Sequence, residues 1–397
     1  MIKRKKILFI TYENPFDRDN GDRIYTCNFL DALIDLNCDI NIIGYDNQNS
    51  KRDNNHHNVK IPQDINFTLI PFKQVSKLKL IFSLLPGMIV NRKRKSFVNL
   101  VESHLKENKY NYIFINHQKM VFSLLPIIKL NLLSKLIFIS HNAEYLLSLN
   151  NAKNSRKIVE RLIYLQDAFK TKLYEKKWLN HFDIITTISE HDKDYYILNF
   201  KNPITKVIRP IMKGINSISE NKKKINEIIL VGSFHWGPKK ENLLSFLNSK
   251  NFKQLYANNI NLTIVGNADP LLVKKINSKY KGVFMTGRVE SVDSYYSNAK
   301  IAIVPEVLGG GFKLKVAEAA FQKTAIFSVK GAITKCNLEK DKHFIESTDF
   351  EELINKVIEY QNKKIEIDAM IKRAFKIAKH DFSKTKFKSD ILKILSN

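Results

Sequence analysis

Pro305-Glu306-Val307-Leu308-Gly309-Gly310-Gly311-Phe312-Lys313-Leu314-Lys315-Val316-Ala317-Glu318-Ala319-Ala320 reads as the end of a strand, a glycine turn and the start of a helix. The apolar run over 299–305 has the continuous character of a strand covered on both faces. Three glycines let the backbone approach a ligand closely. A helix beginning near Lys313 and running to 322 then offers free N–H groups and a positive dipole end to phosphate. Strand, loop and helix in that order are the building unit of a parallel α/β sheet.

The same grammar extends in both directions. Residues 6–12 (Lys-Ile-Leu-Phe-Ile-Thr-Tyr) form an apolar run ending in a polar loop. Gly21 then opens a helix with Tyr25, Leu30, Leu33, Ile34 and Leu36 at helical spacing, and a strand over 39–44 follows. Further strands are predicted over 112–116, 136–140 and 184–188. A helix is predicted over 155–180, with Ile158, Leu162, Leu165, Phe169 and Leu173 marking one apolar face. Periodicity lapses over 209–226, a stretch of linker composition. Beyond it come strands over 227–232, 262–266, 282–287, 299–305 and 324–328, then a helical tail with a break at 381–383. The pattern predicts two doubly wound, parallel-sheet α/β domains, 1–208 and 227–380, with a C-terminal helix over 381–397 packing back on the first.

Composition bounds the function. A chain of 397 residues with 44% apolar residues, 25 Phe and 15 Tyr can bury two cores, so disorder and a small stapled scaffold are excluded. Three cysteines with no Cys-x-x-Cys pair argue against a disulfide framework or cysteine zinc site and for a reducing compartment. The run over 7–10 is too short for a signal peptide, and the longest apolar stretch, 120–139, would bury Lys129 and Lys135 as a membrane span. The net charge of +26 implies attraction to polyanions, although a genome biased to Lys, Asn and Ile produces some of that excess by itself.

Lys313 and Lys315 are the sharpest chemical signal. Cations at a helix N-terminus oppose the macrodipole and are unfavourable unless an anion sits there, which argues for a phosphate ligand. Glu318, one turn further on, is spaced to reach a neutral hydroxylated group such as a ribose. The competing reading makes Gly309 to Gly311 a loose turn and the lysines merely solvated.

At this point a family resemblance emerges. Gly309-x-Gly311-x-Lys313-x-Lys315-x-x-Glu318-Ala319 resembles the donor-binding segment of the group 1 (family 4) retaining glycosyltransferases, which have the GT-B fold. Residues 7–12 with Asn20-Gly21-Asp22-Arg23 look like that family's first strand and glycine loop. His141-Asn142-x-Glu144 looks like its His-Asn-x-Glu segment. Ile188-Ser189-Glu190, Val231-Gly232-Ser233-Phe234, Gly287-Arg288-Val289 and Phe382-Ser383 follow in the family's order, so the similarity spans nearly the whole chain.

The resemblance implies two Rossmann-like domains facing across a cleft and transfer of a sugar from a nucleoside diphosphate donor. It places Lys315 on the diphosphate and Glu318 on the ribose hydroxyls, with Gly309, Gly310, Gly311, Phe312 and Lys313 lining the donor site. Main-chain groups at Arg288 and Val289 would receive the base, and Gly21 would let the first helix approach the diphosphate. His141 and Glu144 would position sugar and acceptor. Two departures stand out: Gly310 occupies the position of a usual glutamate, for which Glu306 comes four residues too early. Lys239 follows Pro238 where many relatives have Asn, offering a second phosphate contact.

Other chemistry is weaker. Asp17-x-Asp19 and Asp192-x-Asp194 could hold a divalent metal, but such pairs arise often by chance, and the lysines can neutralise a diphosphate without one. His56-His57 lies in an Asn-rich loop, and no zinc-protease, nucleophile-elbow or Walker motif occurs. The apolar segment 78–90 running into Asn91-Arg92-Lys93-Arg94-Lys95 has the composition of an element that lies on anionic lipid, or of a core helix with a basic turn. The expected protein is therefore a metal-independent retaining glycosyltransferase with no cofactor, acting at the inner face of the cell membrane. Its acceptor would be lipid-linked or a polysaccharide of the capsule or lipopolysaccharide kind. The alternatives are a catalytically silent GT-B scaffold at the membrane and a nucleic-acid binder, the latter supported by charge alone.

Overall fold

The computed structural model describes residues 4–17, 21–46, 65–155, 157–212, 225–235, 237–307, 313–333, 336–363 and 365–396. The chain divides into two compact units, Met1–Ile211 with Lys384–Asn397, and Met212–Ser383. Each contains one parallel sheet with helices on its faces, the doubly wound architecture that the strand–helix alternation predicts.

The first sheet has seven strands: β1 (Lys6–Ile10), β2 (Asp39–Asp46), β3 (Asn66–Pro71), β4 (Tyr112–Asn116), β5 (Lys135–Ile139), β6 (Ile184–Thr187) and β7 (Ile204–Val207), in the order β3-β2-β1-β4-β5-β6-β7. Strands β1 and β4 pair in register, Ile7 with Tyr112 and Ile10 with Ile115. Their side chains are buried on both faces, and Phe9 stacks on Phe114 with centroids 5.9 Å apart. Between these two strands the winding reverses, because the chain moves outward through β2 and β3 and then returns to β4 on the other side.

The second sheet has six: β8 (Ile225–Val231), β9 (Asn261–Val265), β10 (Val283–Met285), β11 (Ala299–Val304), β12 (Ala325–Val329) and β13 (Ile345–Ser347), in the order β10-β9-β8-β11-β12-β13. Its reversal lies between β8 and β11. Such reversals leave a crevice at the carboxyl ends of the two strands, where doubly wound sheets bind ligands.

The terminal Lys384–Ser396 helix is built into the first unit. Phe387 packs edge-on against Phe29 of the Gly21–Asp35 helix at 5.2 Å, and Tyr112 Oη donates to the Leu395 carbonyl at 2.6 Å.

Two segments differ in detail from the sequence reading. The helix expected over 155–180 is Ile158–Trp178, and a helix the sequence reading did not assign, Glu144–Asn154, precedes it, the two separated where Ser155 turns extended. The Ile158–Trp178 helix does not turn its apolar stripe inward. Ile158, Leu162, Leu165, Phe169 and Leu173 are all exposed, and the inward face is instead Ala168, Thr171, Tyr174 and Glu175. Periodicity shows which residues share a face, but not which way that face points.

The 78–95 segment also divides. Its helices are Lys77–Phe82 and Gly87–Arg92, and Ile89 and Val90 belong to the core. Arg92 is buried rather than part of a solvated basic row, its guanidinium carbon 3.6 Å from the centre of the Phe72 ring.

Candidate functional site

In the second unit the strand ends at the β8–β11 reversal carry a cluster of charge. Lys313 caps the Leu314–Phe321 helix and Lys315 lies in its first turn. Both ammonium groups pair with the carboxylate of Glu306, which follows β11 and is buried. Lys315 Nζ also donates to the Val231 carbonyl at the end of β8, at 2.9 Å. The anion that the sequence requires beside these misplaced lysines is therefore supplied internally, by Glu306.

Burial pushes the Glu306 carboxyl up, but Lys315 and Lys313 more than reverse this and hold it well below the usual carboxylate range. Lys315 moves the other way. Burial, with Lys239 and Lys313 adding like charge, lowers its ammonium to about 8 despite Glu306. Lys239, in the first turn of the Gly237–Leu247 helix, thus belongs electrostatically to this group. Glu318 takes a hydrogen bond from Tyr296 Oη at 3.4 Å, and burial raises its carboxyl to about 7.

The strand ends around this cluster are held tightly. Gly232 N donates to Val265 O at 3.0 Å, and Gly266 N donates to Gly287 O at 3.1 Å. Gly266 has φ +136°, and a Cβ there would lie 1.8 Å from Gly232 O, so only glycine fits. Arg288 is exposed just after Gly287, and Val289 is half-buried against the core. The remaining expected donor-site residues, Gly309, Gly310, Gly311 and Phe312, lie outside the described residues.

The first unit has its own cluster at the β1–β4 reversal, extending to the end of β5. Asn116 donates through Nδ2 to Thr11 Oγ1 at 3.1 Å and Thr26 Oγ1 at 2.9 Å. Its oxygen therefore faces His141 Nε2, 2.8 Å away, which makes that nitrogen the donor. His141 Nδ1 lies 3.4 Å from Asp22 Oδ1, and Tyr12 Oη donates to Asp22 Oδ2 at 2.9 Å. Gly21 starts the helix that presents Asp22.

His117 completes the group, and sequence reading missed it. It follows β4 directly, with φ +74° and ψ 146°, a conformation costing about 1–3 kcal/mol for a residue with a side chain. Its Nδ1 accepts from Lys119 N at 3.2 Å, leaving Nε2–H directed at Glu144 Oε1, 3.5 Å away. Burial keeps the His117 ring neutral, its pKa well below the ordinary value. Burial likewise raises Glu144 to about 8, so at neutral pH it is largely a protonated acid. The available signal was Asn116-His117 standing directly after the β4 apolar run, as Ser140-His141 stands after β5.

The Asp-x-Asp pairs have different fates. Asp192 is buried and structural, accepting from Ser189 Oγ at 2.8 Å and from Ala143 N at 3.4 Å. Asp19 lies outside the described residues, as does His56-His57. Among the described residues no group of three His, Cys, Asp or Glu is placed to hold a metal ion.

Residues 225–362, which carry the lysine cluster, match the family model of the group 1 glycosyl transferases. The match lies within the second unit and is a likeness of that segment to the family. The two parallel-sheet units have the architecture of the GT-B fold.

Solved structures agree on the fold across the full chain. HepE of Anabaena, solved with UDP, is 13% identical at TM-score 0.66, the match covering 98% of this chain and 99% of that one. Sucrose-phosphate synthase of Thermosynechococcus elongatus is 16% identical at TM-score 0.70, covering 99% and 98%. The pneumococcal O-GlcNAc transferase GtfA, solved with UDP and GlcNAc, is 12% identical at TM-score 0.65, covering 99% of each chain. No curated protein sequence matches the chain.

Proposed function

We propose that this chain is a glycosyltransferase that moves a sugar from a nucleoside diphosphate donor to a lipid-linked or cell-surface polysaccharide acceptor, with retention of anomeric configuration. The observation that carries the reading is the pair Lys313 and Lys315, converging on one buried carboxylate at the β8–β11 reversal inside the matched domain. A site built to hold an anion there suits a diphosphate, and relatives of the same fold were solved with UDP.

The donor half of the reaction is electrostatic. As the bond to the sugar breaks, negative charge grows on the diphosphate and is met by Lys315, Lys313, Lys239 and the N–H groups of the Leu314–Phe321 helix. Glu306 holds the lysines in place until the diphosphate arrives and competes for them. Glu318 accepts from the ribose hydroxyls, and main-chain groups at Arg288 and Val289 take the base. The lysines neutralise the diphosphate, and no metal is required.

The first unit supplies the sugar and acceptor contacts. Gly21 allows close approach of its helix N-terminus, His141 and His117 line the sugar, and Glu144 orients a hydroxyl. Being protonated at neutral pH, Glu144 acts as a hydrogen-bond donor rather than as the base, so the acceptor's proton goes to the departing diphosphate on the same face. The chain acts at the cytoplasmic side of a membrane, with the 78–95 region on the membrane side. Among the described residues no helix is long and apolar enough to cross it.

Thermal unfolding with UDP, GDP, ADP and CMP, each with and without EDTA, tests the reading. Nucleotide at about 100 times its dissociation constant adds about 2.7 kcal/mol to stability. A shift with one nucleoside diphosphate, retained in EDTA, is expected. No shift with any of the four contradicts the donor site and favours a silent scaffold.

A further inference from the structure

We propose that the outer face of the Ile158–Trp178 helix, together with the 78–84 turn beside it, is a docking surface for an anionic lipid bilayer. A single exposed apolar side chain is ordinary, but a contiguous patch marks an interaction site. Here the spacing 158, 162, 165, 169, 173 sets Ile, Leu, Leu, Phe and Leu in one stripe, and Leu162 and Phe169 are 60% and 65% exposed. Alongside it Phe82 is 81% and Leu84 93% exposed.

The two elements form one rigid face. Lys170 Nζ and Gln166 Nε2 both donate to the Ile81 carbonyl, at 2.8 Å and 3.3 Å. Asp167 Oδ1 accepts from Gly87 N at 2.8 Å. These bonds are made by Gln166, Asp167 and Lys170 and use none of the stripe's apolar side chains, which stay exposed for another occupant.

Charge decides which occupant. Lys157, Arg161, Lys172, Lys176 and Lys177 are exposed along this helix, against Glu160, which is tied to Lys157 at 3.1 Å. An apolar stripe flanked by lysine and arginine is the composition of a helix lying in the interface of an anionic membrane. A second copy is disfavoured, since self-pairing would set these cations against their own counterparts on a chain of net charge +26. This relocates the lipid contact read from 78–95. Ile89, Val90 and Arg92 of that segment point inward, and the Ile158–Trp178 helix supplies most of the face.

The inner side of the same helix reaches the candidate site. Glu175 is buried there, accepts from Tyr195 Oη at 2.5 Å, and is one of the charges that raise Glu144. A bilayer on the outer side thus lies behind the helix that Glu144 opens, the side from which a lipid-linked acceptor would be presented.

Flotation of the full-length protein with phosphatidylcholine vesicles, with or without phosphatidylglycerol as one lipid in three, tests the surface. Binding is expected only to the anionic vesicles and is expected to fall with salt. Lys172→Gln and Lys176→Gln should each weaken it about fivefold. The double variant Leu162→Ser/Phe169→Ser should abolish it with an unchanged melting temperature. Should that variant fold poorly, the two lysine variants, which leave the apolar stripe intact, carry the test. Equal binding to both vesicle types overturns the proposal, as does wild-type flotation by a folded serine variant or by both lysine variants. A dimer in sedimentation velocity that Leu162→Ser/Phe169→Ser dissolves without loss of flotation assigns the face to a second copy and also overturns it. Flotation is read without turnover, so its failure leaves the donor-site reading standing.

Discussion

Glu306 decides the charge balance around the donor lysines. Replacing it by Gln leaves two nearly buried ammonium groups without their shared counter-ion, and losing one partner of such an arrangement costs about 3–5 kcal/mol. The Glu306→Gln variant should therefore melt lower than the parent, yet bind a nucleoside diphosphate more tightly, because the phosphates no longer compete with a carboxylate. The pH dependence has a definite sign. The folded pKa lies below the ordinary 4.5, so the stability Glu306 contributes is full above that value and is lost as pH falls through the folded one. Acid unfolding curves of parent and variant should converge at low pH; curves that stay parallel contradict the pairing. On the proposed donor role, Lys315→Ala should lower turnover about 10²–10³-fold, with the far-ultraviolet circular dichroism unchanged. Lys313, Lys315 and Glu318 were singled out by spacing, and the structure brings both lysines onto Glu306 and sets Glu318 against Tyr296. Glu306 was seen but read as misplaced, because its partners lie seven and nine residues away across a glycine-rich loop. His117 was not legible, since no spacing announces a positive φ.

Elements were legible where they are buried on both faces. The strands missed in the sequence are β3, β7 and β13, and each is a sheet edge. Edge strands are covered less completely and need no continuous apolar run, so they carry a weaker pattern than β1 or β4. The Ile158–Trp178 helix shows the opposite failure, a strong pattern whose face points outward. Packing between elements makes its own prediction at Gly266. A methyl group there meets the Gly232 carbonyl, at a φ that non-glycine residues rarely adopt. Gly266→Ala should cost about 3 kcal/mol or more from overlap and backbone strain combined, read as a lower urea midpoint. A midpoint within error of the parent contradicts the close approach of the β8 and β9 ends.

For the whole molecule, three acids drawn largely out of water, Glu144 and Glu175 buried and Glu318 half-buried, bias stability in one direction. Glu144 is raised to about 8, and Glu318 and Glu175 to about 7, so the folded chain holds protons that the unfolded chain has released. Stability from this source falls as pH rises from the ordinary carboxylate range toward 8. Neutral His117 opposes the trend only below about 6.5, where an unfolded histidine takes up a proton. The melting temperature of the unliganded protein should therefore drop between pH 6.5 and 8, and Glu144→Gln should flatten part of that slope. A rise over the same interval contradicts the burial of these acids. The division into two parallel α/β domains was open to sequence reading because each restarts with a buried strand and a helix. Which loops converge at each reversal was not, since it depends on strand order.

Calorimetric titration of UDP and GDP into the parent protein, Lys315→Ala and Glu306→Gln, all in EDTA, tests the central claim most directly. One nucleotide should bind the parent without metal, bind Glu306→Gln more tightly, and lose its affinity for Lys315→Ala. Wild-type affinity in Lys315→Ala, or no heat of binding with either nucleotide in any of the three proteins, would contradict a diphosphate site at the end of β11.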